Sequence, residues 1–141
     1  MTLTRTVLLV DDDDDVRELI RMALERAGHT VIEAATSDEA LTRFATDGGR
    51  IDLLLTDVAM PGGTGPNLYR RLSATQPALP VLFMSGCPDH DGIDGAALIE
   101  KPFTMTTLVA QVSRVACGEP PMTGAVSHPI RHAARALRNR A

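Results

Sequence analysis

Short apolar runs alternate with amphipathic stretches of helical length along this chain, which predicts an α/β fold: a parallel sheet with helices on both faces. Two further observations point the same way. The runs are rich in branched aliphatics and too short to be helices. Four of the five runs also end at an acidic, hydroxyl or lysine side chain, so chemistry-bearing groups collect at the strand ends.

The elements follow in order. Thr6–Val10 is a buried strand by length and branching, and it runs into five aspartates, Asp11 to Asp15. Val16, Leu19, Ile20, Ala23, Leu24 and Ala27 form a helical stripe. Asp13 to Asp15 supply its cap and first-turn charge, and Gly28 stops it. Thr30–Ala34 reads as a second strand. Ser37 and Asp38 open a helix through Ala40, Leu41, Phe44 and Ala45, closed at Gly48-Gly49. Ile51–Thr56 is a third strand, ending at Asp57. The stretch "VAMPGGTGPN" has the composition of a loop, and Pro66 suits the first turn of a helix reaching about Thr75. Pro80–Met84 is a fourth strand before Ser85-Gly86, and Ala97–Ile99 a short fifth before Lys101-Pro102. Thr104–Ala116 closes the series as a helix with Leu108, Val109, Val112 and Val115 on one face. Met60 and Met84 are expected to fill core gaps.

Composition sets the outer limits. A chain of 141 residues with 44% hydrophobic and 23% charged content fits one soluble domain. Aromatics make up only 3%, so the core must be aliphatic. No apolar run is long enough to span a bilayer and the N-terminus lacks a secretory apolar segment, so a cytoplasmic location is expected. Cys87 and Cys117 match no zinc or redox spacing and are expected to be buried thiols. Residues 1–118 carry 17 acids against 10 Lys/Arg, a net of −7, whereas residues 119–141 carry a net of +3. An acidic body argues against a nucleic-acid-binding core.

In a doubly wound sheet the ligand site lies beyond the C-terminal strand ends. Asp11, Asp12, Asp57, Ser85 and Lys101, the sole lysine, all fall there. Carboxylates gathered in a partly dry crevice need a cation, and Mg²⁺ suits hard oxygen ligands. A carboxylate is also a competent nucleophile toward phosphorus, and Lys101 and Ser85 could hold phosphoryl oxygens.

"VLLVDD", "DLLLTDVAMPGGTG", "VLFMSG" and "IEKPF" together resemble the receiver domain of bacterial two-component response regulators, close to receivers associated with hybrid histidine kinases. The resemblance covers residues 5–117. It implies a flavodoxin-like (CheY-like) doubly wound five-stranded parallel sheet of order 2-1-3-4-5. It further implies that Asp57 accepts a phosphoryl group from a histidine kinase or histidine phosphotransfer protein, with an unknown downstream protein as the recipient of the signal. Asp12 would be a direct Mg²⁺ ligand, Asp11 a second-shell or water-mediated one, and the Ala59 carbonyl a further ligand beside Asp57. Ser85 would be the switch hydroxyl, and Lys101 the phosphate-binding lysine, with a cis bond to Pro102. Such a protein is a phosphoacceptor that assists its own phosphorylation and dephosphorylation rather than an enzyme.

Two departures from the family pattern stand out. Only 16 positions separate Ser85 from Lys101, and "GCPDHDGIDGAALIE" has little apolar periodicity, so the fourth helix is expected to be short, missing or mobile. Leu98 replaces the aromatic residue usual three positions before the lysine. The domain is expected over residues 1–118, with 119–141 a linker and basic tail, disordered or forming a short helix over 127–137. That tail could dock an acidic surface, and the sequence leaves no room for a DNA-binding output domain. Two rivals remain at this level. One is a receiver-like interaction module that carries no phosphate. The other is a haloacid-dehalogenase-type phosphatase with Asp12 and Asp14 in its motif, which would leave Asp57 without a role and lacks the later acidic pair.

Overall fold

The computed structural model describes residues 4–47, 51–86 and 97–118. Among the described residues, seven strands and four helices succeed one another: β1 (Thr6–Val10), α1 (Asp14–Arg26), β2 (Thr30–Ala34), α2 (Ser37–Asp47), β3 (Leu53–Asp57), β4 (Ala59–Met60), β5 (Gly63–Thr64), α3 (Gly65–Thr75), β6 (Val81–Ser85), β7 (Ala97–Glu100) and α4 (Met105–Ala116). The main sheet is parallel, in the order β2-β1-β3-β6-β7. With the two-residue strands set aside, this is the expected 2-1-3-4-5 order.

Strand periodicity divides the core in two. Leu8, Val10, Leu54 and Phe83 face one side, where Ala40 and Phe44 of α2 and Leu68 and Leu72 of α3 meet them. Val7, Leu9, Leu53, Leu55, Leu82 and Met84 face the other, against Ile20 and Leu24 of α1 and Leu108, Val112 and Val115 of α4. Successive strand residues point to opposite faces, so continuous apolar runs are what a sheet covered on both sides requires. Tyr69 meets Phe83 edge to face at 6.2 Å, a rare aromatic contact in an aliphatic core. Met60 and Met84 both lie in the core, as expected.

The helix ends explain the local sequence. The Asp13 side chain accepts from the backbone N–H groups of Asp15 and Val16 and so caps α1. Thr64 caps α3 ahead of Pro66 at its start, and Thr104 caps α4. Gly28 takes a φ of 100°, open to glycine and strained for other residues, just past α1.

Several expectations need correction. "VAMPGGTG" is not pure loop: Ala59-Met60 pair antiparallel with Gly63-Thr64, and α3 starts at Gly65. The stretch is too short and too rich in glycine to carry a strand signal. Leu19, placed on the buried stripe of α1, is 57% exposed. Cys117 is exposed rather than buried, because it sits at the C-terminal cap of α4, beyond the last buried residue, Val115. Gly48-Gly49, Cys87, the segment expected to hold a shortened fourth helix, and the tail from 119 lie outside the described residues. Among the described residues, no helix is long and apolar enough to cross a membrane.

Candidate functional site

Three carboxylates converge at the C-terminal edge of the sheet. Asp11 follows β1, Asp57 ends β3 and Asp12 opens the loop into α1, and one carboxylate oxygen from each lies within 4.8 Å of the others. The strand order makes this possible, since β1 and β3 are neighbours with Val10 opposite Thr56. Asp11 is fully buried and Asp12 is exposed.

Asp11 is held on both sides. Its Oδ1 accepts from the Asp13 N–H at 2.9 Å, and its backbone N–H donates to the Ala34 carbonyl at 3.2 Å. Its Oδ2 is buried with no hydrogen bond. Lys101 reaches across from the end of β7, its Nζ 3.1 Å from Asp57 Oδ2 and 3.8 Å from Asp11 Oδ2. The longer approach is an ion pair without a hydrogen bond, which agrees with the unpartnered state of that oxygen. The Lys101 N–H donates to the Ser85 carbonyl at 2.8 Å, and the Lys101–Pro102 peptide is cis.

Burial pushes the Asp11 carboxyl above its ordinary value, against the opposing Asp13 N–H and Lys101. Burial also raises Asp57, against Lys101, while the Asp12 charge adds to the rise. With all three acids ionised and one lysine present, the cluster carries a formal charge of −2. A small divalent cation matches both that charge and the all-oxygen donor set, and the orphaned Asp11 Oδ2 is an oxygen such an ion would satisfy.

Ser85 ends β6, is buried, and follows Met84, which stands opposite Asp57 in the β3–β6 ladder. Ala59, expected to contribute its carbonyl, is exposed and begins the small hairpin two residues after Asp57. Asp11, Asp12, Asp57 and Lys101, all expected from the sequence, are brought together here, whereas two supporting residues were not expected. Arg17 donates from Nη1 to the Asp11 carbonyl at 2.8 Å while pairing with Asp14 at 2.7 Å and Glu33 at 3.1 Å. It ties the acidic loop to β2, and its only sequence signal was a charge set between the apolar positions Val16 and Ile20. Gly65 donates to the Val58 carbonyl at 2.8 Å, and a Cβ on it would overlap the Asp57 carbonyl oxygen.

The family model described as "Response regulator receiver domain" matches residues 7–113. The sensor kinase CckA of Brucella abortus (strain 2308) is 46% identical over 118 residues, which is 78% of this chain and only 12% of that protein. The response regulator receiver protein CpdR of the same strain is 32% identical over 117 residues, 79% of this chain and 96% of CpdR. A crystal structure of the receiver domain from the hybrid histidine kinase CckA superposes with a TM-score of 0.70 at 35% identity, covering 79% of this chain and 98% of that one.

Proposed function

This chain belongs to the response regulator receiver domain family, and from that premise we propose that it accepts a phosphoryl group on Asp57 from a histidine kinase or histidine phosphotransfer protein and signals through protein contacts. The observation that carries the reading is Asp57 itself: a half-buried carboxylate at a strand end, 3.1 Å from Lys101 and beside two further acids.

In the proposed step an Asp57 carboxylate oxygen forms the new P–O bond while the P–N bond of a phosphohistidine breaks, its electron pair remaining on the imidazole. Such a transfer is mostly positioning and charge neutralisation. Lys101 supplies a cation already seated at the Asp57 carboxylate that turns to the incoming phosphoryl oxygens, and Ser85 donates its hydroxyl hydrogen to one of them. Asp12, Asp57 and the Ala59 carbonyl would hold Mg²⁺, with Asp11 beside them acting through water or a neighbouring ligand. When bound, the ion neutralises the carboxylates and the transferring oxygens. The domain is then a phosphoacceptor whose residues assist gain and loss of the group. Lys101 pairs with Asp57 and Asp11, which favours Asp57 as acceptor over the phosphatase reading centred on exposed Asp12.

The test is intact mass after incubation with Mg²⁺ and acetyl phosphate. One phosphoryl gain in the parent, lost in Asp57→Asn and on chelation, is the expected result. No gain in a protein whose circular dichroism shows it folded would overturn the reading in favour of an unphosphorylated interaction module.

A further inference from the structure

Leu19 and Met22 are the exposed large hydrophobics among the described residues, at 57% and 44%. Single exposed apolar side chains are ordinary, but these two stand three apart on α1 and so lie next to each other on one helical face. The exposed positions Asp15, Glu18, Leu19, Met22, Glu25 and Arg26 form a continuous outward stripe. Beside it, a groove of about 330 Å³ between α1 and α4 is lined by Ala23, Ala27, Met105 and Val109, with Arg26 and Thr106. Arg17 turns onto Asp14 and Glu33, whereas Arg21 reaches Glu25 at 2.8 Å and Glu18 at 3.7 Å as well as Glu33 and so offsets part of the acidic charge on this face. The outward stripe keeps a small acidic excess, Asp15, Glu18 and Glu25 against Arg21 and Arg26, and continues into the exposed Asp12 to Asp14.

We propose that this face of α1 is the docking site of the chain's own basic segment after Gly118, seated through residues 127–137. Three observations select that occupant. Ile130, Ala133, Ala134 and Leu137 recur at helical spacing, with Arg131, Arg135 and Arg138 between them and a net of +3 over 119–141. The segment also starts in the right place. Cys117 Sγ lies 3.7 Å from Arg5 Nη2, and the Arg5 N–H donates to His29 Nδ1 at 3.1 Å, just past the end of α1. Finally, the lengths agree. Eight residues, 119–126, reach up to about 26 Å, and an 11-residue helix of about 16 Å fits along the roughly 20 Å of α1. Running back from the C-terminal end of α1, the segment would carry its later arginines toward the exposed Asp12 to Asp15. Each exposed ion pair contributes little by itself. Covalent attachment raises the local concentration of the segment enough for a modest apolar contact to hold.

The proposal does not depend on phosphoryl transfer to Asp57, and its test does not measure that. In the full chain with Cys87→Ser and Cys117→Ser, Met22→Cys is paired with Ala134→Cys and oxidised at low protein concentration. The control pairs Thr42→Cys, exposed on α2 across the sheet, with the same Ala134→Cys. The expected result is an intramolecular disulfide that forms at least about tenfold faster at Met22 than at Thr42. Molar salt, or Arg131→Glu with Arg135→Glu and Arg138→Glu, should shrink that ratio. Equal rates, or no disulfide at either site, would overturn the proposal, and disulfides formed only between chains would assign the face to a second copy. A measurement without cysteine changes guards against misfolding. The same three arginine substitutions should shift the Met22 methyl resonance and leave that of buried Met84 in place, and an unmoved Met22 would equally overturn the docking.

Discussion

Asp11 and Asp57 are unusual among the carboxylates here because folding works against their charge. Both sit above the ordinary value of 3.8, burial being the leading cause in each. Between that value and the raised folded one, the native state holds more protons than the unfolded chain. Metal-free stability contributed by these groups therefore falls as pH rises through that window. His29 acts with the opposite sign. It is buried and held neutral below 6.5, so its contribution is lost as pH falls under that value. The comparison must accordingly be made by difference. In chelator, Asp11→Asn should unfold at a higher temperature than the parent at neutral pH, the gap closing toward pH 4. Its amide oxygen can still accept from the Asp13 N–H. A parent more stable than Asp11→Asn at neutral pH would contradict the argument. Gly65 sets a steric limit at the same site. Gly65→Ala drives a methyl into the Asp57 carbonyl oxygen and the Thr56 methyl, and should cost about 1–3 kcal/mol by urea denaturation. An unchanged midpoint would show that the backbone yields freely there.

At the scale of elements, the run of five aspartates divides by position. Asp11 and Asp12 belong to the carboxylate cluster, Asp13 caps α1, Asp14 pairs with Arg17, and Asp15 adds first-turn charge. Asp13→Ala should then cost about 1 kcal/mol through two lost hydrogen bonds. Asp15→Ala should stay within about 0.5 kcal/mol. Equal losses in thermal melts would mean that charge, not capping, governs this helix start. The cap was legible in sequence because a strand running into acids and then a helical stripe fixes where the turn must be. Thr6–Val10 and Thr30–Ala34 were legible too, since branched residues between polar ends leave little choice. The small hairpin of β4 and β5 was not, because two-residue pairing is decided by α3 packing Gly65 under Asp57 rather than by local preference. Leu19 and Cys117 were misplaced for a related reason. Periodicity gives the direction of a helix face but not its width, nor where the neighbouring helix stops.

The whole molecule turns distant positions into one site, and that step was the least local. Alternation of runs predicted a parallel sheet, but only the family resemblance predicted that β1 and β3 would be adjacent, with Asp11 and Asp57 side by side. No local pattern carries strand order. A site assembled by topology exists only in the folded chain, so an ion that binds it stabilises the entire domain. At a hundredfold excess over its dissociation constant, Mg²⁺ should add about 2.7 kcal/mol to unfolding free energy. Its ligands must be ionised, and burial makes Asp11 and Asp57 harder to ionise. The gain should therefore vanish on acidification at a pH above 3.8, the ordinary carboxylate value. Together with the residue-scale argument this predicts a crossing. Without Mg²⁺, Asp11→Asn is the more stable protein, because it lacks a buried charge. As Mg²⁺ rises, the parent gains more and overtakes it. Thermal melts across a Mg²⁺ series at neutral pH would show the two curves intersecting. Parallel curves would mean that the cation does not use the buried carboxylate, and that the unpartnered Oδ2 has another explanation.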